Sequence, residues 1–148
     1  MFRGIASFAV LTTIYATCAW SQCTLAPDSR TTYWGHQNSV TVYSHPLKTL
    51  RGTVVLGFAT PEIPKDGVLV EIFDHPELAM EGNPSRTGQR RLKACLTQKD
   101  GSFSFDLPAG KYELRCSKPV DWNCSSMIVE IARNGASKKL TLRLGLAQ

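Results

Sequence analysis

The sequence has little of what most metal and redox chemistry needs. Its cysteines form no CxxC pair and its three histidines include no nearby pair, which argues against the ligand spacings of a structural zinc site. No segment sustains a 3.6-residue apolar period, and there is neither an internal repeat nor a low-complexity tract. A helical domain or a repeat array is therefore not expected. Apolar runs are also short: none reaches the roughly 18 to 20 residues that span a bilayer comfortably.

What the chain does have begins at its start. A single Arg3 precedes an apolar run from Ile5 to Trp20, and Ala19 and Ser21 supply small residues at the minus-three and minus-one positions of a cleavage site. This is a secretory signal pattern over residues 1–21, with Gln22 as the expected new terminus and a secreted or periplasmic destination. Retention as a membrane anchor is the alternative. The residues before Cys23, Trp20-Ser21-Gln22, lack the small apolar run of a bacterial lipobox. Loss of Arg3 leaves 16 basic against 12 acidic residues, a net charge of +4. Such a mild excess favours weak attraction to anionic polymers, and export argues against nucleic acid as the partner.

Cys18 departs with the signal, leaving Cys23, Cys95, Cys116 and Cys124. An even number in an exported chain suggests two disulfides, with three pairings open. Cys116 and Cys124 flank the turn-like stretch SKPVDWN, so a bridge there would staple the strands that leave it. Cys95 would then join Cys23.

From Leu50 onward the pattern is one of strands. Leu50, Val54, Leu56 and Phe58 share a face by period two; Val68, Val70 and Ile72 do the same in GVLVEIFD; and in QRRLKACLT the residues Leu92, Ala94 and Leu96 alternate with Arg91, Lys93 and Cys95, whose charged face should see water. Asp100-Gly101 reads as a type I′ hairpin turn. Phe103, Phe105 and Leu107 follow as a half-buried strand, and Leu107-Pro108-Ala109-Gly110 fits a type I turn. Tyr112, Leu114 and Cys116 then face inward, as do Met127, Val129 and Ile131, and finally Leu140, Leu142 and Leu144, with Asn134-Gly135 turning between the last two strands. Seven strands with regular turn signals point to an all-β, two-sheet sandwich over residues 49–148. Residues 22–48 form an N-terminal extension in which SVTVYS is a candidate extra strand, and PELAM after Pro76 reads as one helical turn.

The order GVLVEIF, then TQKDGSFSF, then LPAGKYEL, resembles the carboxypeptidase regulatory-like domains, over about residues 50–146. The resemblance implies a seven-stranded antiparallel Greek-key sandwich of the prealbumin-like, carbohydrate-binding-like kind. It also implies an accessory, adhesive or binding role with no enzyme activity and no cofactor. Among enzyme relatives, hydroxyisourate hydrolases end in Tyr-Arg-Gly-Ser, whereas this chain ends in LRLGLAQ. Intradiol dioxygenases bind iron through two tyrosines and two histidines; Tyr33, His36, Tyr43 and His45 match by type but crowd ahead of the sandwich. The carboxypeptidases beside which such domains occur carry H-x-x-E, which is absent. The expectation is a module that recognises an extracellular glycan or protein, or a structural subunit that joins an envelope protein through an open strand edge.

Candidate ligand-binding residues lie on the loops. Trp122, at the tip of the loop between Cys116 and Cys124, offers an aromatic platform for a sugar ring. Asp74 and His75, with Glu77, open the long connection DHPELAMEGNPSRTGQ, and Arg86, Arg90 and Arg91 close it as a basic cluster beside Lys93. The plainer readings are a solvated loop and a wet strand face. Tyr33, Trp34, His36, Tyr43 and His45 offer an aromatic and imidazole surface for a sugar or metal; the plainer and favoured reading is that they cap a sheet edge or close one end of the sandwich. Asn123-Cys124-Ser125 fits an N-glycosylation sequon, which a disulfide-tethered loop would oppose.

Overall fold

A computed structural model describes residues 40–80, 88–118, 122–124 and 126–146, with 122–124 and 146 described by backbone only. The signal segment 1–21, most of the extension, Arg86 and the sequon's Ser125 lie outside the described residues. Nine strands are described: β1 (Val40–Val42), β2 (Leu50–Leu56), β3 (Leu69–Phe73), β4 (Arg91–Leu96), β5 (Ser102–Phe105), β6 (Gly110–Lys118), β7 (Trp122–Cys124), β8 (Ser126–Ile131) and β9 (Leu140–Leu146), with one short helix, α1 (Glu77–Met80). The seven strands expected from sequence are β2 to β6, β8 and β9. Among the described residues β1 is the extra strand expected in SVTVYS, and β7 is additional.

The strands form two mixed layers, joined where the end of β6 pairs with β7. The first runs β4-β3-β6-β8-β1 and the second β7-β9-β2-β5. Two ladders are parallel, β1 with β8 and β2 with β9, so the arrangement is not wholly antiparallel. The inward residues of both layers meet in one core: Val70, Ile72, Tyr112, Leu114, Val129 and Ile131 from the first, and Leu50, Val54, Phe103, Phe105, Leu140, Leu142 and Leu144 from the second. Period-two alternation places them there, because successive side chains leave a strand on opposite faces. The rings of Phe103 and Phe105 sit 6.2 Å apart in a tilted pair.

Three turns, of which Asp100-Gly101 is the one expected to close a hairpin, carry the chain between layers. β4 pairs with β3 and β5 with β2, so Asp100-Gly101 is a corner and not a hairpin. Only Gly101 of that pair has positive φ, +73°, which rules out type I′; Gly101 N donates to the Gln98 carbonyl at 2.8 Å and Ser102 N to Asp100 Oδ1 at 3.0 Å. At the next corner the Tyr112 hydroxyl donates to the Pro108 carbonyl at 2.9 Å. At the third, Gly135 packs on the backbone of Leu47, whose N donates to the Glu130 carbonyl at 2.8 Å and whose carbonyl accepts from Ala132 N at 2.9 Å. An added Cβ on Gly135 would sit 2.3 Å from the Leu47 carbonyl carbon.

Two further expectations are corrected. Phe58 lies beyond the end of β2 and is exposed, so it does not share the core face of Leu50 and Val54. Cys95 is buried in the core and does not face water. The β3–β4 register shifts between Ile72 and Phe73, pairing Phe73 with Arg91 and Ile72 with Lys93. That irregularity breaks the assumed alternation: Arg91 turns to the outward face, while Cys95 enters the core and Lys93, on the same side of the strand, stays exposed and donates to the Asp106 carbonyl at 2.5 Å.

Candidate functional site

The outward face of the second layer carries a cleft of about 520 Å³, lined principally by Arg51, Thr53, Lys99, Ser102, Ser104 and Lys139. Backbone pairing builds it. The β2–β5 ladder sets Arg51 opposite Ser104 and Thr53 opposite Ser102, and the parallel β2–β9 ladder, which starts at Gly52 and Leu140, brings Lys139 alongside. The floor is therefore sheet, with half-buried hydroxyls, and the rim holds exposed lysines.

The wall formed by Gln98, Lys99 and Asp100 is fixed from below. Thr97 is buried; its hydroxyl donates to the Lys65 carbonyl at 2.7 Å and accepts from Val68 N at 2.9 Å. Val54 N donates to the Gly101 carbonyl at 2.9 Å, pinning the far end of the turn. Hydrogen bonding from Ser102, side chain first and then backbone, holds the Asp100 carboxyl below the usual aspartate range, with the Lys139 charge adding to it. Asp100 is thus ionised and already engaged, and it is the one acidic side chain among the described residues of the lining.

The loop residues singled out from sequence are placed differently. Asp74 accepts from Arg90 N at 2.6 Å and Arg90 Nε at 3.3 Å, whereas His75 pairs with Glu77 at 2.9 Å. Asp74 and His75 thus enter separate pairs. Arg91 Nη1 donates to Glu71 Oε1 at 2.9 Å, on the outward face of the first layer. Trp122 opens β7, paired with Lys118 and Leu146, and is not at a loop tip; its side chain is outside the described residues. Tyr43 packs on the core, and the exposed His45 lies 2.7 Å from the Ser44 hydroxyl. Tyr33, Trp34 and His36 fall outside the described residues. No group of three or more potential metal ligands occurs among the described residues, and none of their helices is long and apolar enough to cross a membrane.

The outward face of β3 and β6 holds charges that alternation alone would assign to solvent. Glu113 is fully buried; its carboxylate accepts from Arg115 Nε at 2.9 Å and Nη2 at 3.0 Å, from Gln89 Nε2 at 2.5 Å and from the Ser126 hydroxyl. Arg115 also lies over the Phe73 ring, 4.1 Å from its centroid. Burial pushes the Glu113 pKa up, but bonds from Arg115 and Ser126, the Arg115 charge and Gln89 outweigh it and hold the carboxyl below the usual glutamate range. The β3–β4 connection, expected to be solvated, thus contributes Gln89 to this cluster and buries Pro76 and Ala79.

Cys95 and Cys116 are each disulfide-bonded. Both oppose Val70, from its two sides, so β3 lies between them. Two strand spacings of about 4.8 Å exceed the roughly 6.8 Å that a disulfide spans between Cα atoms, so they are not bonded to each other. The β6–β7 register, carried one step past Ser117 and Asn123, sets Cys124 across from Cys116. Cys23 lies outside the described residues.

Comparison with known families, with characterised proteins and with solved structures finds no match to this chain.

Proposed function

We propose that this chain is an exported, non-catalytic recognition module of the carboxypeptidase regulatory-like kind, with a prealbumin-like Greek-key sandwich, and that it binds an extracellular carbohydrate in the cleft on β2 and β5. The cleft carries the reading. Its volume falls within the roughly 300–1,000 Å³ of small-ligand sites, and its hydroxyls, on Thr53, Ser102 and Ser104, stand on paired strands, which hold donors more precisely than loops do. The hydroxyls of Thr53, Ser102 and Ser104 can each donate and accept, matching the hydroxyls of a sugar. Export rests on the signal pattern of residues 1–21, and the disulfides are assigned as Cys116 with Cys124 and Cys23 with Cys95.

A glycan array probed with the secreted chain, beside a Ser104→Trp variant that fills the cleft, tests this. Binding by the parent and none by the variant supports it; equal binding by both places recognition elsewhere. A second reading, a structural subunit that accepts a partner's strand, is favoured by β4, which pairs with one neighbour only among the described residues. Co-purification of an envelope protein, abolished by Leu92→Pro on that strand, would support it instead.

A further inference from the structure

We infer that the saccharide lies across the strands, as an extended chain of at least two units that starts against the wall at residues 98–100 and leaves over Thr141 on β9. This inference rests on the carbohydrate reading above and gives the ligand its length and direction. Register supplies the path. Thr53 on β2 stands opposite Ser102 on β5 on one side and Thr141 on β9 on the other. Residues level with one another in adjacent strands leave the sheet on the same face, so three hydroxyl side chains from three neighbouring strands form one row. With strands about 4.8 Å apart, the row runs for roughly 10 Å, more than a single sugar ring covers.

The two ends of the row differ. Val54 N donates to the Gly101 carbonyl at 2.9 Å, which makes those two a hydrogen-bonded pair, so the next residue, Ser102, directs its own N and carbonyl away from β2. They meet Asp100 Oδ1 and Gln98 N, each at 3.0 Å. The wall therefore stands beyond β5, in line with the row, and closes that end. At the other end Thr141 is exposed, while its neighbours Leu140 and Leu142 are buried in the core. Past Thr53 the direction along the strand is shut: Val55, the next residue of β2 on that face, is 3% exposed and bridges to Pro64. A threonine hydroxyl both donates and accepts, so Thr53 engages the unit within the cleft and Thr141 the unit that follows.

The test is calorimetric titration of the secreted chain with linear cello-, xylo- and chito-oligosaccharides of one to five units, beside Thr53→Val and Thr141→Val variants. Valine keeps the branched shape that a strand favours, thermal melts check that both variants fold, and the length series tests the path without any variant. In a series that binds, affinity should rise at least tenfold from one unit to two or three and then level off. Thr141→Val should remove about threefold to tenfold of that gain, the worth of one hydrogen bond, and Thr53→Val should weaken every length that binds. A single unit that binds as tightly as a chain overturns the path across the strands and leaves the carbohydrate reading standing. So does chain binding that Thr53→Val weakens and Thr141→Val leaves unmoved. Chain binding that neither variant weakens overturns the assignment to this cleft. No binding in any of the three series overturns both this inference and the carbohydrate reading.

Discussion

Replacing Glu113 with Gln should cost more stability than any other isosteric change in this domain. The carboxylate is fully buried and, among the described residues, accepts hydrogen bonds twice from Arg115 and once each from Gln89 and Ser126. Gln offers one acceptor oxygen and turns an amide donor toward donors that have nowhere else to go. It also leaves the Arg115 guanidinium without its counter-charge. Hydrogen bonds to charged groups are worth about 1.5–3 kcal/mol each, and breaking a buried ion pair by neutralising one partner costs about 3–5 kcal/mol, so a loss in that range is expected. Urea denaturation at pH 7 measures it. A double cycle with Arg115→Met should return a coupling of about 1–3 kcal/mol. Because Glu113 titrates lower in the folded chain than in the unfolded one, its contribution is complete above the usual glutamate pKa of about 4.3 and disappears as pH falls from there through the native value. The gap between wild type and Glu113→Gln should therefore close below pH 4. A change of less than about 0.5 kcal/mol at pH 7, or a gap that stays constant into acid, would refute the view that these charges hold the outward face of β3 and β6.

Other expectations follow from single contacts. Gly135→Ala should cost about 2–4 kcal/mol, since its Cβ would displace Leu47 and the backbone bonds around it; Gly145→Ala, which meets nothing within 4 Å, should be within about 1 kcal/mol of wild type in the same melts. Tyr112→Phe removes the bond to the Pro108 carbonyl and should lower stability by about 1 kcal/mol; no change would mean that the corner is held by packing alone. Peptide mapping without reduction should recover Cys116 linked to Cys124 and Cys95 linked to Cys23, and recovery of Cys23 linked to Cys116 would break the assignment.

The strands were legible because burial leaves a local trace. Val68, Val70 and Ile72, or Leu140, Leu142 and Leu144, reach the core as their spacing demands. What alternation cannot carry is partnership. Asp100-Gly101 has the local chemistry of a hairpin, but β4 and β5 belong to different layers, a choice made by contacts distant in sequence. The facing of Cys95 was misread for a related reason: the register irregularity opposite Phe73 is invisible to a period count. The cleft left one faint signal, Ser102 and Ser104 alternating with Phe103 and Phe105, which reads equally as an ordinary wet face. Only the ladders through β2 assemble Arg51 and Lys139 onto it. Conversely, the basic cluster looked available in sequence, yet Arg90 meets Asp74 and Arg91 meets Glu71, while Arg86 lies outside the described residues.

The most direct test of the cleft is a map of amide chemical shifts in the isotope-labelled chain as an oligosaccharide that it binds is added. Shifts confined to residues 51–53, 98–104 and 139–141 are expected. Shifts centred on residues 74–91 or on the edge of β4, with the cleft unmoved, would contradict it.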